Sequence, residues 1–151
     1  MSNEIKLTEH FMLSEFTHSA TAERLHIDNT PMPEYVSNLR NLCAEILEPL
    51  RRQFGPIRIN SGYRCVRLNE AVGGIGNSCH LRGEAADIYI PDEETGRRYY
   101  RFLVAHTNYD QLLFEYNRRG AMWIHVSCKQ ELALNRHQAF PNFPVRKGGK
   151  P

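Results

Sequence analysis

From Pro33 to Phe54 the chain carries one apolar stripe: Val36, Leu39, Leu42, Cys43, Ile46, Leu47 and Leu50 recur at three- and four-residue steps. That is the helical period, and a helix of this length needs its stripe covered. The stripe therefore reads as core. Pro31 and Pro33 suit the helix start, Pro49 predicts a kink or an end to the regular part, and Gly55-Pro56 breaks the chain after it. The covering surface has to come from the remaining segments, and these offer short strands. IRIN (57–60) alternates apolar and polar as a half-buried strand does; AADIYI (85–90), YDQLLFEY (109–116) and MWIHVSC (122–128) are strand-like, with the hairpin-sized NRRGA between the last two.

Further helices are predicted over 12–27, interrupted near Ser19-Ala20, and over CVRLNEAVGG, closed by Gly73-Gly74. Another starts near Asp92, with acidic residues in its first turn and Tyr100, Leu103 and Val104 facing the core. The resulting fold class is α+β, a small, largely antiparallel sheet with flanking helices.

The 151 residues suffice for one such domain and not for two. We assign residues 1–140 to it and read 141–151, basic and rich in Pro and Gly, as a flexible tail. A net charge of +2 with scattered Lys and Arg argues against nucleic acid as a partner. Cys43, Cys65, Cys79 and Cys128 have no disulfide-framework spacing and are expected as reduced, partly buried thiols. The N-terminal MSNEIKLTEHFMLSEF has no apolar h-region and no segment is long enough to span a membrane. Synthesis in the cytoplasm without a signal peptide, and a monomeric chain, are the expectations.

NSCHLRGEAADIYI (77–90) holds a histidine and an aspartate seven positions apart, with small residues between them. Zinc in a hydrolase usually takes three protein ligands and keeps a fourth position for water, and imidazole and carboxylate suit it. His80 and Asp87 supply one of each, Asp87 at the start of a strand. His125, in WIHVS, is the best third candidate, sharing a strand face with Trp123 and Ser127. Singly, each has an ordinary reading: a satisfied core histidine, or an aspartate that caps a turn.

SCHLRGEAAD (78–87) resembles the Ser-x-His-x-x-Gly-x-Ala-x-Asp motif of the M15 family of zinc D-Ala-D-Ala carboxypeptidases and peptidoglycan endopeptidases. SGYR (61–64) lies upstream and WIHVS downstream, as in that family, and the likeness to the branch common in phages and mobile elements runs from about Leu13 to Cys128. The resemblance implies one zinc ion on His80, Asp87 and His125, substrate contacts from Arg64 and Ser78, and a small α+β sandwich shared with the Hedgehog signalling domain. It also implies a peptidoglycan stem peptide as substrate, cut between two D-alanines or between an L- and a D-residue. A lysis enzyme acting on the cell wall after release by another route would fit.

Many members place an acid three residues before the last histidine, where this chain has Met122. The base must then come from elsewhere. Glu115 is our choice: with a hairpin centred on Gly120 it lies directly across from His125. A one-residue slip would turn it away, and Glu84 is the reserve. The missing acid also keeps open a non-catalytic, metal-bearing wall-binding module. A structural Cys/His zinc site using Cys79 or Cys128 is disfavoured, because neighbours in an extended segment point to opposite sides. A cysteine hydrolase is disfavoured because neither Cys65 nor Cys79 has a setting that lowers its pKa. The ordinary alternatives are a turn-stapling ion pair for Arg64 and a local turn bond for Ser78, while His10, His18, His26, His106 and His137 are expected as structural or solvated groups.

Overall fold

The computed structural model describes residues 4–144. The apolar stripe forms a near-continuous helix in three parts: α3 (Pro33–Leu42), a π-helical turn (Cys43–Leu47) and α4 (Glu48–Phe54). Pro49 has no N–H to give to the preceding turn, and the ladder widens just before it, with Glu48 N–H donating to the Cys43 carbonyl. Leu39, Leu42, Cys43, Ile46, Leu47 and Leu50 are fully buried, as the stripe requires.

A short hairpin, β1 (Lys6–Thr8) and β2 (Phe11–Met12), precedes α1 (Ser14–Thr17) and α2 (Ala20–Arg24). The predicted 12–27 helix is thus broken at His18-Ser19, where the Ser19 side chain accepts from Ala22 N–H and caps α2. Buried Glu48 ties the hairpin to the long helix. Its carboxylate accepts from Thr8 Oγ1 at 2.6 Å, from His10 N–H at 2.8 Å, and pairs with His10 Nδ1 at 2.7 Å.

The main sheet has the order β3-β4-β6-β5-β7, with β3 (Ile59–Ser61), β4 (Ala85–Tyr89), β5 (Gln111–Tyr116), β6 (Met122–Ser127) and β7 (Gln138–Pro141). All pairings are antiparallel except β5 with β7. Side chains alternate strictly across the central strands. Ile88, Leu112, Phe114, Ile124 and Val126 are fully buried and join the helical stripe in one core. Asp87, Tyr89, Leu113, Glu115, Trp123 and His125 point to the other, open face. The helices α5 (Val66–Ala71) and α6 (Glu93–His106) complete the fold, α6 capped by Asp92. Tyr99, Tyr100 and Leu103 line its buried face, whereas Val104, expected in the core, is exposed because it falls one position past the stripe.

The chain after β6 is pinned. Buried Asp110 accepts from Arg136 through two guanidinium nitrogens and the backbone N–H, each at 2.9 Å. Of the expected flexible tail, residues 145–151 lie outside the described residues. Pro141 still belongs to β7, and the Phe143 ring packs on Tyr100 and Phe114 under the Arg97 guanidinium. No helix among the described residues is long and apolar enough to cross a membrane.

Candidate metal centre

Three segments far apart in the chain deliver the site. In β4 and β6, Asp87 and His125 are a directly opposed pair on the open face, with His125 Nδ1 3.0 Å from Asp87 Oδ1. His80 arrives from a short 3-10 turn, Cys79–Arg82. Ser78 caps that turn by accepting from His80 N–H, and Gly83 closes it in the left-handed region at φ 71°. The turn sits hard against α3: Asn38 donates to the Arg82 carbonyl at 2.8 Å, and a Cβ on Gly83 would lie 2.6 Å from the Tyr35 carbonyl oxygen. His80 Nε2 then stands 3.4 Å from Asp87 Oδ1, and the two imidazole centroids are 5.2 Å apart.

The SGYR segment sets the ring orientation. His80 Nδ1 lies 2.6 Å from the Gly62 carbonyl oxygen. A carbonyl only accepts, so Nδ1 donates its proton there and Nε2 is the nitrogen that faces Asp87. Buried Asn29 holds the segment in place, donating to the Tyr63 carbonyl and accepting from Cys65 N–H.

These residues fit a divalent cation. One ligand atom from each of His80, Asp87 and His125 lies within 4.8 Å of the others. A neutral His80 would set an acceptor nitrogen against an acceptor carboxylate, a contact that a shared cation resolves. Burial pushes the Asp87 carboxyl upward, but hydrogen bonds from His125 and His80 outweigh it and hold the group well below the usual carboxylate range. It is therefore an anion at any ordinary pH. Two imidazoles and one carboxylate are a donor set suited to zinc, with a coordination position left over.

The remaining expected residues are placed as follows. Arg64 lines a cleft of about 270 Å³ together with His18, Asn60, Ser61, Tyr63 and Leu68. Its Nε is buried with no hydrogen-bond partner, and the ion pairs of the described arginines involve Arg82, Arg97 and Arg136 instead. The turn-stapling ion pair is thus not formed. Burial lowers the Arg64 pKa from its ordinary value, partly offset by the charge of Asp87. Ser78 makes the local turn bond. Glu84 is engaged by Arg82 at 2.7 Å and is not among the converging groups.

Glu115 is not directly opposite His125. It pairs with Trp123, and Leu113 faces His125. The reason lies in the turn. Asn117 N–H donates to the Ala121 carbonyl, and the Asn117 side chain accepts from Arg119 and Ala121 N–H, making a five-residue loop in which the left-handed Gly120 is off-centre. The displacement is two residues, so Glu115 keeps the face of His125 and is its diagonal neighbour, at about 7–8 Å between backbones. Met122 pairs with Tyr116 and packs against the core, on the face away from His125.

Neither Cys79 nor Cys128 joins the converging groups. Arg82 donates to Cys79 Sγ at 3.4 Å, and Cys128 is buried beside Asn41 and Asn135, burial raising its pKa to about 11. Sequence reasoning missed the Gly62 carbonyl, since a main-chain acceptor leaves no mark on residue type.

A 44-residue stretch is 46% identical to the zinc D-Ala-D-Ala carboxypeptidase of Streptomyces albus G, covering 28% of this chain and 17% of that protein. The chain thus spans only a small part of that relative. The sequence profile of Peptidase M15 matches residues 9–127, a span that takes in His80, Asp87 and His125 together, and the chain belongs to this family of zinc metallopeptidases.

Proposed function

We propose that the chain is a zinc-dependent peptidase that hydrolyses peptidoglycan stem peptides, as a D-Ala-D-Ala carboxypeptidase or an L,D-endopeptidase. The observation that carries this is the convergence of His80, Asp87 and His125 within 4.8 Å on the open face of the sheet. One zinc ion on these residues would supply Lewis acidity, polarising the scissile carbonyl and acidifying water. Glu115, on the same face and one pair-step away, is the general base: it takes the proton of the attacking water and returns it to the leaving amine. Arg64 holds a substrate carboxylate in its planar fork, a role supported by its unpartnered Nε. Ser78 Oγ, already accepting from His80, uses its own hydrogen on the substrate backbone. The site of action is then the cell wall, and the chain works as a monomer.

The test is release of D-alanine or of new amines from stem pentapeptide and from intact peptidoglycan. It is run with one equivalent of zinc, after chelation, and after zinc is restored. Chelator-sensitive release that returns with zinc is expected. Zinc-loaded protein that binds the wall and releases nothing would overturn the reading in favour of the non-catalytic module, which the apolar Met122 favours.

A further inference from the structure

We propose that Arg58, Tyr89 and Trp123 form a substrate subsite that selects a residue with an aliphatic stem and a free carboxylate, two positions from the scissile bond. This rests on the peptidase reading above. The strand register lays two transverse rows side by side on the open face. One contains Ser61, Asp87, His125 and Leu113; the next contains Tyr89, Trp123 and Glu115. Tyr89 and Trp123 are directly paired, and Tyr89 is 41% exposed although it sits mid-sheet. The Arg58 carbonyl accepts from Tyr89 N–H, and its exposed guanidinium lies 5.5 Å from the Tyr89 ring centroid. The row therefore runs from a cation across two aromatic rings.

Arg58 has no ion-pair partner among the described residues, the arginine pairs being those of Arg82, Arg97 and Arg136. Its fork is held over the ring with its donors free, and that geometry matches a carboxylate. The rings offer an apolar floor to the stem that carries it. The rows are one pair-step apart, about 7 Å, which is also the advance of two residues in an extended peptide. Arg58 immediately precedes β3 and Arg64 follows it three residues after Ser61, which sits in the metal row, so the chain places the two arginines toward opposite ends of that strand. With Arg64 on the leaving-group side, the Arg58 row faces the acyl side.

The probes are two stem pentapeptides ending in D-alanyl-D-alanine, whose third residue is a diaminopimelate with its side-chain carboxylate either free or amidated. Affinity is measured by titration calorimetry on zinc-loaded Glu115→Gln protein, alone and with Arg58→Gln added, and the fluorescence of Trp123, the one tryptophan of the chain, is followed in the same titrations. Kinetics are measured on the wild type and on Arg58→Gln. The acid should bind about fivefold more tightly than the amide, as expected for a partly solvated charge pair. Arg58→Gln should level the two and raise KM for the acid alone, with kcat unchanged. Equal affinities before the mutation, an equal loss for both peptides, or binding that leaves Trp123 fluorescence unaltered would overturn the subsite. Absent cleavage with the binding preference intact would sink the peptidase reading and leave the subsite standing.

Discussion

Replacing Gly83 by alanine tests whether packing of the ligand turn on α3 builds the metal site. Two costs arise. Gly83 sits at φ 71°, where an L-residue is disfavoured by about 1 kcal/mol or somewhat more. Its added Cβ would also lie 2.6 Å from the Tyr35 carbonyl oxygen and 3.2 Å from Leu39 Cγ. Backbone cannot swing aside as a side-chain tip can, so turn and helix must part, at an overpacking cost of about 2 kcal/mol. The control is Gly73→Ala, at φ 76° with nothing within 4 Å, which carries the conformational cost alone. Urea unfolding of the metal-free proteins should give losses of about 3 and about 1 kcal/mol. Zinc affinity, measured against a competing chelator, should fall for Gly83→Ala and hold for Gly73→Ala, because only Gly83 lies between His80 and Asp87. Losses that agree within about 0.5 kcal/mol, or zinc affinities that fall together, would refute the packing argument.

Glu115→Gln should keep one zinc per chain and lose about 10²- to 10⁴-fold in kcat, the usual share of general acid–base catalysis; full turnover would remove Glu115 from that role. Burial pushes the Glu48 carboxyl up, but bonds from Thr8 and His10 prevail and lower its pKa, and a bond from Arg136 lowers that of Asp110. For both, the folded value lies below the unfolded one, so their stabilisation is full above the unfolded carboxylate range and is lost as pH falls through the folded value. Glu48→Gln should therefore cost about 2 kcal/mol at neutral pH, with the gap to wild type narrowing in thermal melts below about pH 4; a constant gap would contradict the sign. Phe143→Ala removes a ring set against Tyr100, Phe114 and Arg97 and should cost about 2 kcal/mol in denaturant unfolding, whereas no change would return that residue to the tail.

The elements legible in the sequence were those whose signal is local. The long helix showed itself through its stripe, α6 through Asp92, and the central strands through alternation. Two classes escaped. The β1–β2 hairpin contributes three and two residues, too few to display a period. The strand β7 contains a proline and pairs in parallel with a segment more than twenty residues earlier, so its identity depends on a remote partner. Buried Glu48 interrupts the apolar stripe as a charged residue, and only Thr8 and His10, some forty positions away, explain it. The site divides in the same way. The types and spacing of the three converging residues were readable, while the proton on His80 Nδ1 is fixed by a carbonyl eighteen residues upstream.

Glu115 shows why one kind of error in reading a hairpin is mild and another is fatal. A strand has a side-chain period of two, so a register misjudged by one residue exchanges core and open face for the whole strand. Misjudged by two, it preserves the face and moves each residue one pair-step along it. The off-centre Gly120 produced a two-residue displacement, and Glu115 kept company with His125 while trading its direct opposition for a diagonal. That displacement sets Trp123 between Glu115 and Tyr89 in a row of its own, beside the metal row instead of within it. The same register that assembles Asp87 with His125 thus gives the open face a metal row, and next to it an acid at one end and an aromatic floor reaching to Arg58 at the other. An insertion of one residue in the 117–121 loop that forced β5 to slip by one would carry Glu115 to the core face and Phe114 to the open one. It should abolish turnover while His80, Asp87 and His125, none of which lies on β5, still hold one zinc. Turnover retained in such a variant would show that the base does not come from β5.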